Sequence, residues 1–410
     1  MITVITPTHD PKWLPEAAKS LEAQDYGGKF EWLVVPNNGC EVEGLPKFAR
    51  VVPYPGPSGN VGAMKAYACQ LASGEKIVEL DHDDLLTPTA LSRIDAALDE
   101  ADFCYSDFAR FNDGNWEPWY WPTDSGWRYR DEEYYGHKVA VTEAFPPTAH
   151  AYSRIEWAPN HVRAWRKDRY FEIGGHDPAL KVADDYDLCC QFYLRGKVAY
   201  IPECLYLYRV HPENISQVQN RDVQETMMGL RNGYLHPLVE RWADLNELPK
   251  VNICCGGDVR AGWVNVDRAG STGDGITVAD LEFRWPWPDS SVGVIMANDA
   301  LEHLRDPLHT MQEIYRVLVP GGWLLSATPS TDGRGAFQDP THRSFWNENS
   351  FWYYTRADQG AFIGTPVRFQ AVRLWTGYAN EWQGQNRIPY VFADLVALKD
   401  GYRAPGVQEI

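Results

Sequence analysis

The chain has 410 residues, 44% of them apolar, and a formal net charge of −18. This length predicts two or three domains, because a single core rarely grows so large. The acidic charge argues against non-specific binding to nucleic acid or to an anionic membrane surface, since both repel a polyanion.

The sequence carries no pattern typical of a secreted or membrane protein. The segment MITVITPTHD leads directly into a strand pattern, and no apolar run approaches the roughly 20 residues that span a bilayer. The eight cysteines form no CxxC pair, which is typical of reduced thiols. We therefore expect a cytoplasmic protein without a membrane span.

Strand and helix patterns alternate along the first part of the chain. The segments ITVIT, FEWLVV, ARVVPY and KIVEL read as strands. Between them, Asp10 is expected to cap a helix that starts at Pro11, and Asn60 to open an alanine-rich helix that Gly74 ends. This alternation predicts an α/β fold with a parallel sheet.

A second alternation begins near residue 247. Residues 217–246 carry a helical pattern, and LPKVNICCGG then starts a new strand that runs into glycines. We predict a first domain of residues 1–246, which includes this helical linker, and a Rossmann-like second domain of residues 247–410.

The segment VELDHDDLLTP ends a buried strand with Asp81, His82, Asp83 and Asp84. In open parallel sheets, ligands collect beyond the carboxyl ends of the strands. Repelling carboxylates at this density favour bound Mn²⁺ or Mg²⁺, which takes one or two protein carboxylates together with substrate phosphates. The alternative is structural, because Asp83 or Asp84 could cap the next helix.

Four motifs occur in an order that resembles the family-2 glycosyltransferases of the GT-A fold. They are ITPTHD, NVGAMKAYACQLASGEKIVELDHDD, GGHDPALKVADDYDLCCQF and YRVHPENIS. The resemblance covers residues 1–220. It implies a GT-A nucleotide-sugar-binding fold and a metal-dependent, inverting transfer of a sugar.

The same resemblance implies roles for individual residues. Asp81 and Asp83 match the DxD motif, with Asp83 as the direct metal ligand, and His211 matches a histidine that contacts the metal or the diphosphate. Asp184 and Asp185 match a later acidic pair, whose second carboxylate is the general base. The positions that match the nucleotide pocket are Thr6, Pro7, Asn60 and Asp81.

The chain departs from the family after the second strand, where VVPNNGC replaces the usual acidic residues. Pro36 cannot replace a carboxylate, but Asn37 or Asn38 could hydrogen-bond the edge of a uracil. A UDP-linked donor is therefore favoured. The aromatic stretch that follows residue 115 is a candidate acceptor surface, although ordinary packing explains each ring equally well. Its tryptophans are Trp116, Trp119, Trp121 and Trp127.

A second constellation starts with VNICCGGDVRAGWVNVDRAG, which places a strand, a small-residue turn and another strand before Asp267. An acid at the end of a second strand is the usual partner of ribose hydroxyls. The downstream segments ADLEFRW, VGVIMANDALEHL and RVLVPGGWLLSATPS resemble the core of class I SAM-dependent methyltransferases over residues 250–330. The resemblance implies S-adenosylmethionine as a cofactor, held by Cys255, Gly256, Gly257, Asp267, Asp280, Leu281 and Asn298.

This second resemblance also has a departure. Cys254 stands where the family has a glycine, and its side chain could crowd the methionine end of the cofactor. His303 and His342 are candidates for assisting methyl transfer, although each could equally be structural. A strong base is not required, because methyl transfer often depends on positioning.

Together the two halves predict a bifunctional enzyme. It would transfer a sugar of hexosyl type from a nucleotide-sugar donor to an acceptor hydroxyl and then O-methylate that sugar; similar fusions resemble bacteriophage modification enzymes. The acceptor stays open between protein, glycan and modified base, and nucleic acid is not expected. Two alternatives remain: a glycosyltransferase with a silent methyltransferase-like scaffold, and a non-catalytic carbohydrate-binding protein.

Overall fold

The computed structural model describes residues 1–57, 59–118, 120–155, 161–214, 220–268 and 275–406. The chain divides into two compact units, Met1–Leu238 and Val239–Ile410, whereas the sequence placed the division after residue 246. Across the described ranges, every helix is too short or too polar to cross a lipid bilayer.

The first unit consists of a mixed sheet with helices packed on it. Its strands are β1 Ile2–Thr8, β2 Phe30–Pro36, β3 Ala49–Val51, β4 Lys76–Glu79, β5 Leu85–Leu86, β6 Phe103–Asn112, β7 Tyr129–Tyr134, β8 His137–Thr142, β9 Ala164–Arg166 and β10 Val198–Val210. Its helices are α1 Leu14–Glu22, α2 Val61–Leu71, α3 Ala90–Glu100, α4 Ala149–Arg154, α5 Lys167–Ile173 and α6 Asp184–Arg195, and α7 Asn220–Leu245 continues into the second unit.

The strand order of this sheet is β3-β2-β1-β4-β9-β6-β10-β5. Strand β1 pairs in parallel with β2 and β4, and β6 pairs in parallel with β10, while β9 runs antiparallel between β4 and β6. The carboxyl ends of β1, β2 and β4 therefore meet at one edge. The acidic segment after β4 lies at that edge, as expected for a ligand site in such a sheet.

The first helix begins later than predicted. Helix α1 starts at Leu14, and Trp13 occupies its N-cap position without a side-chain hydrogen bond. The Asp10 carboxylate instead accepts a hydrogen bond of 2.9 Å from the Lys12 N–H. Asp10 therefore stabilises the turn before the helix, because its side chain satisfies a nearby backbone donor first.

The second unit is another α/β sheet. Its strands are β11 Lys250–Ile253, β12 Val264–Asp267, β13 Ile276–Val278, β14 Val292–Asn298, β15 Leu318–Pro329, β16 Phe369–Gly377 and β17 Tyr390–Ala397. Its helices are α8 Pro307–Val317, α9 Gly335–Gln338, α10 Glu348–Thr355, α11 Ala357–Ile363 and α12 Glu381–Asn386. A short 3₁₀ helix spans Leu301–His303.

The strand order here is β13-β12-β11-β14-β15-β17-β16. Strands β11 to β15 pair in parallel, and β17 is antiparallel to both of its neighbours. The central strands β11 and β14 are almost fully buried and contribute apolar side chains to one core. The α/β fold class predicted for both halves of the chain is confirmed.

Candidate active site

A cavity of about 720 Å³ lies in the first unit, at the edge where β1, β2, β4 and β10 end. Much of its lining is polar or charged, although Trp13, Met64, Phe108 and Val210 contribute apolar surface. The residues predicted from the sequence that line it are Pro7, Asn37, Asp81, Asp83, Asp184, Asp185 and His211. Motifs from four distant parts of the first unit therefore meet in one place.

Asp83 and His211 form a buried pair in this cavity. The Nε2 atom of His211 lies 2.8 Å from Oδ2 of Asp83, and the Trp13 ring packs against the imidazole with centroids 4.5 Å apart. Burial raises the pKa of Asp83, but the hydrogen bond with His211 and the charge of the neighbouring His82 together outweigh burial, and the net pKa is lowered. The carboxylate is therefore ionised at neutral pH, which a metal ligand requires.

Asp84 has a structural role. Its Oδ2 accepts a hydrogen bond of 2.8 Å from the Tyr206 hydroxyl, and its Oδ1 accepts one of 2.6 Å from the Arg209 N–H. The Arg209 guanidinium in turn donates to the Asp83 carbonyl oxygen at 2.7 Å. These bonds fix the acidic segment after β4 against β10.

Asp81 occupies a different environment from Asp83. Its side chain is 31% exposed, and the Nε2 atom of His161 lies 3.7 Å from its Oδ2. Burial raises the pKa of Asp81 to about 7, against the opposing effect of Lys65. Among the described residues, Asp81, Asp83 and His211 do not form a group whose ligating atoms all lie within 4.8 Å of one another. The three predicted metal residues thus share a cavity without forming a closed three-ligand site.

Asp184 and Asp185 begin helix α6, directly after Ala183, which has a left-handed backbone (φ 60°). The Nη1 atom of Arg163 donates a hydrogen bond of 2.7 Å to Asp185 Oδ2, and the Asp185 side chain is 33% exposed. Burial raises the pKa of Asp185, but the charges of Arg163 and Lys65 together outweigh burial, so the net pKa is lowered. Asp184 is 5% exposed, and burial raises its pKa to about 6. Asp185 is therefore the ionised and more accessible member of the pair.

Sequence reasoning missed a buried charge network beneath the cavity. Lys65 Nζ lies 2.7 Å from Glu79 Oε1, and Arg163 Nη1 lies 3.7 Å from the same oxygen. Burial raises the pKa of Glu79, but the charges of Lys65 and Arg163 bring it well below its usual range. One signal was present in the sequence: Lys65 lies four residues after Val61 and one after Met64, on the apolar face of a helix.

Three residues predicted to bind the nucleotide do not line the cavity. The buried Thr6 hydroxyl donates to the Leu80 carbonyl at 2.8 Å and accepts from Trp32 Nε1 at 2.9 Å. Asn60 caps α2 by accepting a hydrogen bond from the Ala63 N–H, and Asn38 is exposed in a turn. The Thr6 and Asn60 side chains therefore make structural hydrogen bonds, and Asn38 is exposed outside the cavity lining.

Asn37 lies in the cavity wall. Its backbone N–H donates to the Thr8 carbonyl at 2.9 Å, which extends the β1–β2 pairing by one residue. Its Oδ1 atom is buried and has no hydrogen-bond partner among the described residues. An acceptor in this state offers a place for a ligand N–H group.

The aromatic stretch splits between packing and cavity lining. Trp116 stacks between Phe111 and His137, at centroid distances of 4.1 and 4.2 Å, and Trp127 is 5% exposed. Trp121 lines the cavity, and the Arg110 guanidinium lies 4.9 Å from its ring centroid. Trp119 lies outside the described residues.

In the second unit, the predicted cofactor residues lie at or after the carboxyl ends of β11, β12, β13 and β14. The Gly256 N–H donates to Asp267 Oδ2 at 2.7 Å, so the glycine turn and the acid at the end of β12 adjoin. A Cβ atom at Gly256 or Gly257 would meet no atom within 4 Å, so this turn is open. Cys254 packs against the core of the unit.

The remaining predicted cofactor positions differ in exposure. Leu281 is 4% exposed, and its carbonyl accepts a hydrogen bond from Trp285 Nε1 at 3.0 Å. Asp280 is exposed and accepts a hydrogen bond from the Glu282 N–H, and Asn298 is exposed at the end of β14. Leu281 therefore belongs to the packed core, whereas Asn298 is free to meet a ligand.

His303 and His342 come together, although they are far apart in the sequence. Their rings lie 5.1 Å apart in a T-shaped arrangement. The neighbouring Glu302 is 1% exposed, and burial raises its pKa to about 7. Glu302 was not predicted, although it directly precedes His303.

The second unit matches a known family. Residues 239–326 match the family model described as a methyltransferase domain. No curated protein matches the chain.

Several solved structures resemble part of the chain. Residues 1–349 of S. aureus TarS in complex with UDP are 20% identical, with a TM-score of 0.42 over 60% of this chain and 70% of that one. The same TarS segment in complex with UDP-GlcNAc is 19% identical, with a TM-score of 0.40 over 59% of this chain and 72% of that one. The S. aureus TarS structure without a stated range is 20% identical, with a TM-score of 0.39 over 59% of this chain and 43% of that one. Among these comparisons the family match alone carries an inference: residues 239–326 of the chain are similar to a methyltransferase domain.

Proposed function

We propose that the first unit transfers a sugar from a nucleotide-sugar donor to an acceptor hydroxyl. The observation that supports this most directly is the cavity of about 720 Å³ that gathers Asp83, His211 and Asp185. A volume of this size suits a nucleotide-sized ligand. The carboxylates provide both a cation site and a base, which are the two groups that transfer from a diphosphate needs.

Mn²⁺ or Mg²⁺ would be held by Asp83 and His211. The pair fits a cation because its carboxylate is ionised and the proton that His211 Nε2 shares with Asp83 Oδ2, 2.8 Å away, can be released when the ion binds. These two protein ligands leave coordination positions for diphosphate oxygens, which is how such cations are usually bound. When bound, the cation would neutralise charge on the leaving diphosphate.

Asn37 would recognise uracil. Its unpartnered Oδ1 accepts but cannot donate, so it complements the N3–H of uracil. This supports UDP as the nucleotide of the donor.

Asp185 would act as the general base. Its exposed part faces the cavity, and the hydrogen bond from Arg163 holds the carboxylate in one orientation. It would accept the proton of the acceptor hydroxyl as that oxygen attacks the anomeric carbon from the side opposite the diphosphate. A single displacement of this kind inverts the configuration.

The second unit would use S-adenosylmethionine to methylate a hydroxyl of the transferred sugar. The Asp267 carboxylate beside the open turn of Gly256 and Gly257 fits a ribose diol, because its oxygens retain lone pairs after accepting from the Gly256 and Arg268 N–H groups. The cofactor would supply the methyl group. Placing both sites in one chain would raise the local concentration of the glycosylated product at the second site.

The direct test is release of UDP from a panel of UDP-sugars with and without Mn²⁺. We expect Mn²⁺-stimulated release by the wild type and its loss in Asp83→Asn. The control Asp99→Asn changes an exposed carboxylate paired with Lys76 and should behave as wild type. No release from any donor, or equal stimulation in Asp83→Asn, would refute the proposal.

A further inference from the structure

A second cluster of ligating side chains lies in the second unit, at the edge where β14 and β15 end. Glu302 and His303 belong to the 3₁₀ helix that follows β14, and His342 follows β15. Atoms of these three residues that can bind a metal all lie within 4.8 Å of one another. They are separate from every residue assigned above to the first-unit cavity.

The buried carboxylate of Glu302 is only partly satisfied. Its Oε2 accepts a hydrogen bond of 2.6 Å from the Thr328 hydroxyl. Its Oε1 is buried and has no hydrogen-bond partner among the described residues, and the side chain forms no ion pair with a lysine or arginine there. A buried carboxylate in such surroundings gains most from a cation placed at the free oxygen.

The two imidazoles are oriented by acceptors on one side. His342 Nδ1 lies 2.9 Å from the Ala336 carbonyl oxygen, and His303 Nδ1 lies 3.4 Å from the Thr341 carbonyl oxygen. A carbonyl only accepts, so a neutral His342 ring carries its proton on Nδ1 and keeps the lone pair of Nε2. His303 Nδ1 also lies 3.3 Å from the Thr341 hydroxyl, and because that hydroxyl donates to Asp339 it accepts from the ring, which favours the same tautomer. Metal-binding histidines are typically fixed in this manner by a carbonyl behind the ring.

We propose that Glu302, His303 and His342 bind a divalent transition-metal ion. Two imidazole nitrogens and one carboxylate oxygen are a donor set suited to Zn²⁺, Mn²⁺, Co²⁺ or Fe²⁺. The sequence suggested these histidines as aids to methyl transfer; this proposal makes them ligands, because a nitrogen bound to a metal cannot also take a proton.

The cation has a chemical consequence that rests on the proposed methyltransferase function. It would lie at the same sheet edge as Asn298, where the cofactor is expected. A metal ion there can bind a hydroxyl of the methyl acceptor and lower its pKa. The substrate class would then be a hydroxyl-bearing molecule positioned by direct contact with the ion.

Binding is tested on the full chain after chelator treatment, with Co²⁺ as the probe and without nucleotide, methyl donor or acceptor. We expect His342→Gln and Glu302→Gln each to lose one equivalent of bound Co²⁺ in calorimetry and visible absorption. The control His309→Gln should keep it, since that imidazole lies outside the proposed cluster and its Nε2 lies 3.0 Å from the Phe283 carbonyl oxygen. The same loss must occur in an Asp83→Asn background, which removes the first-unit site. Unchanged stoichiometry and affinity in His342→Gln would overturn the proposal.

A second measurement needs no variant and so does not depend on variant folding. Diethyl pyrocarbonate modification of wild-type histidines is mapped by peptide mass spectrometry with and without Co²⁺. We expect Co²⁺ to slow modification of His303 and His342 but not of His309; equal rates at all three would overturn the proposal. Neither experiment measures methyl transfer. A separate measurement of S-adenosylhomocysteine binding therefore distinguishes failure of the proposed methyltransferase function from failure of the proposed metal site.

Discussion

Two buried glutamates, one in each unit, have opposite surroundings. Glu79 in the first unit lies 2.7 Å from Lys65 and 3.7 Å from Arg163, so its charge is compensated even though its Oε2 has no hydrogen-bond partner among the described residues. Within the described ranges, the Glu302 carboxylate in the second unit accepts its hydrogen bond from the Thr328 hydroxyl and has no cationic partner. Each is grouped with a histidine at distances that suit a metal.

The difference distinguishes a buried carboxylate with a structural role, Glu79, from one that can bind a ligand, Glu302. Glu79 holds two cationic side chains in place beneath the first cavity, and one of them, Arg163, orients Asp185. Glu302 has no such cationic partner in the part of the chain that the structure describes, and its Oε1 is available to a ligand there. Ligating residue types at suitable distances are therefore not sufficient evidence for a metal site, because the neighbouring charges decide what a carboxylate can bind.

The largest expected effect tests whether the first-unit network serves catalysis. We expect Asp185→Asn to reduce UDP-sugar turnover by about 10²–10⁴-fold, the usual contribution of a general base, while UDP affinity stays unchanged. The amide can still accept the Arg163 hydrogen bond but cannot take a proton. Asp177→Asn is the matched control, because that exposed carboxylate caps a turn in the same motif. Turnover like wild type in Asp185→Asn would contradict the assignment.

The next effect tests the two glutamates directly. Glu79→Gln removes the anion that pairs with the buried Lys65, while Arg163 keeps Asp185, and it should lower the free energy of unfolding by about 3–5 kcal/mol. Glu302→Gln removes an uncompensated charge and should leave the metal-free chain equally stable or slightly more stable. Urea unfolding in the presence of chelator measures both. Equal destabilisation by the two substitutions would contradict the distinction between Glu79 and Glu302.

The smallest effect concerns Thr6, which the sequence assigned to the nucleotide pocket. Thr6→Val removes the hydrogen bond to Leu80 and leaves the Trp32 Nε1 donor buried and unpaired. We expect a loss of about 1–3 kcal/mol in unfolding free energy with no change in UDP affinity. Thr6→Ser, which keeps the hydroxyl, should retain most of the stability. A weaker affinity for UDP at unchanged stability would instead indicate that Thr6 contributes to the nucleotide pocket.

The sequence by itself determined the α/β class and the alternation of strands and helices in both halves. It also identified the motifs that contain Asp83, Asp185 and His211, which line the cavity. Strand and helix periodicity is local, so it can be read along the chain. Only the tertiary structure decided which polar groups meet: Asp83 with His211, 128 residues apart, Asp84 with Tyr206, and Lys65 with Glu79. The tertiary structure likewise placed His342 beside Glu302, and it placed Thr6 and Asn60 where their side chains make structural hydrogen bonds. The physical reason is that a polar side chain is satisfied by whichever partner the fold places nearest, and local periodicity does not encode that partner.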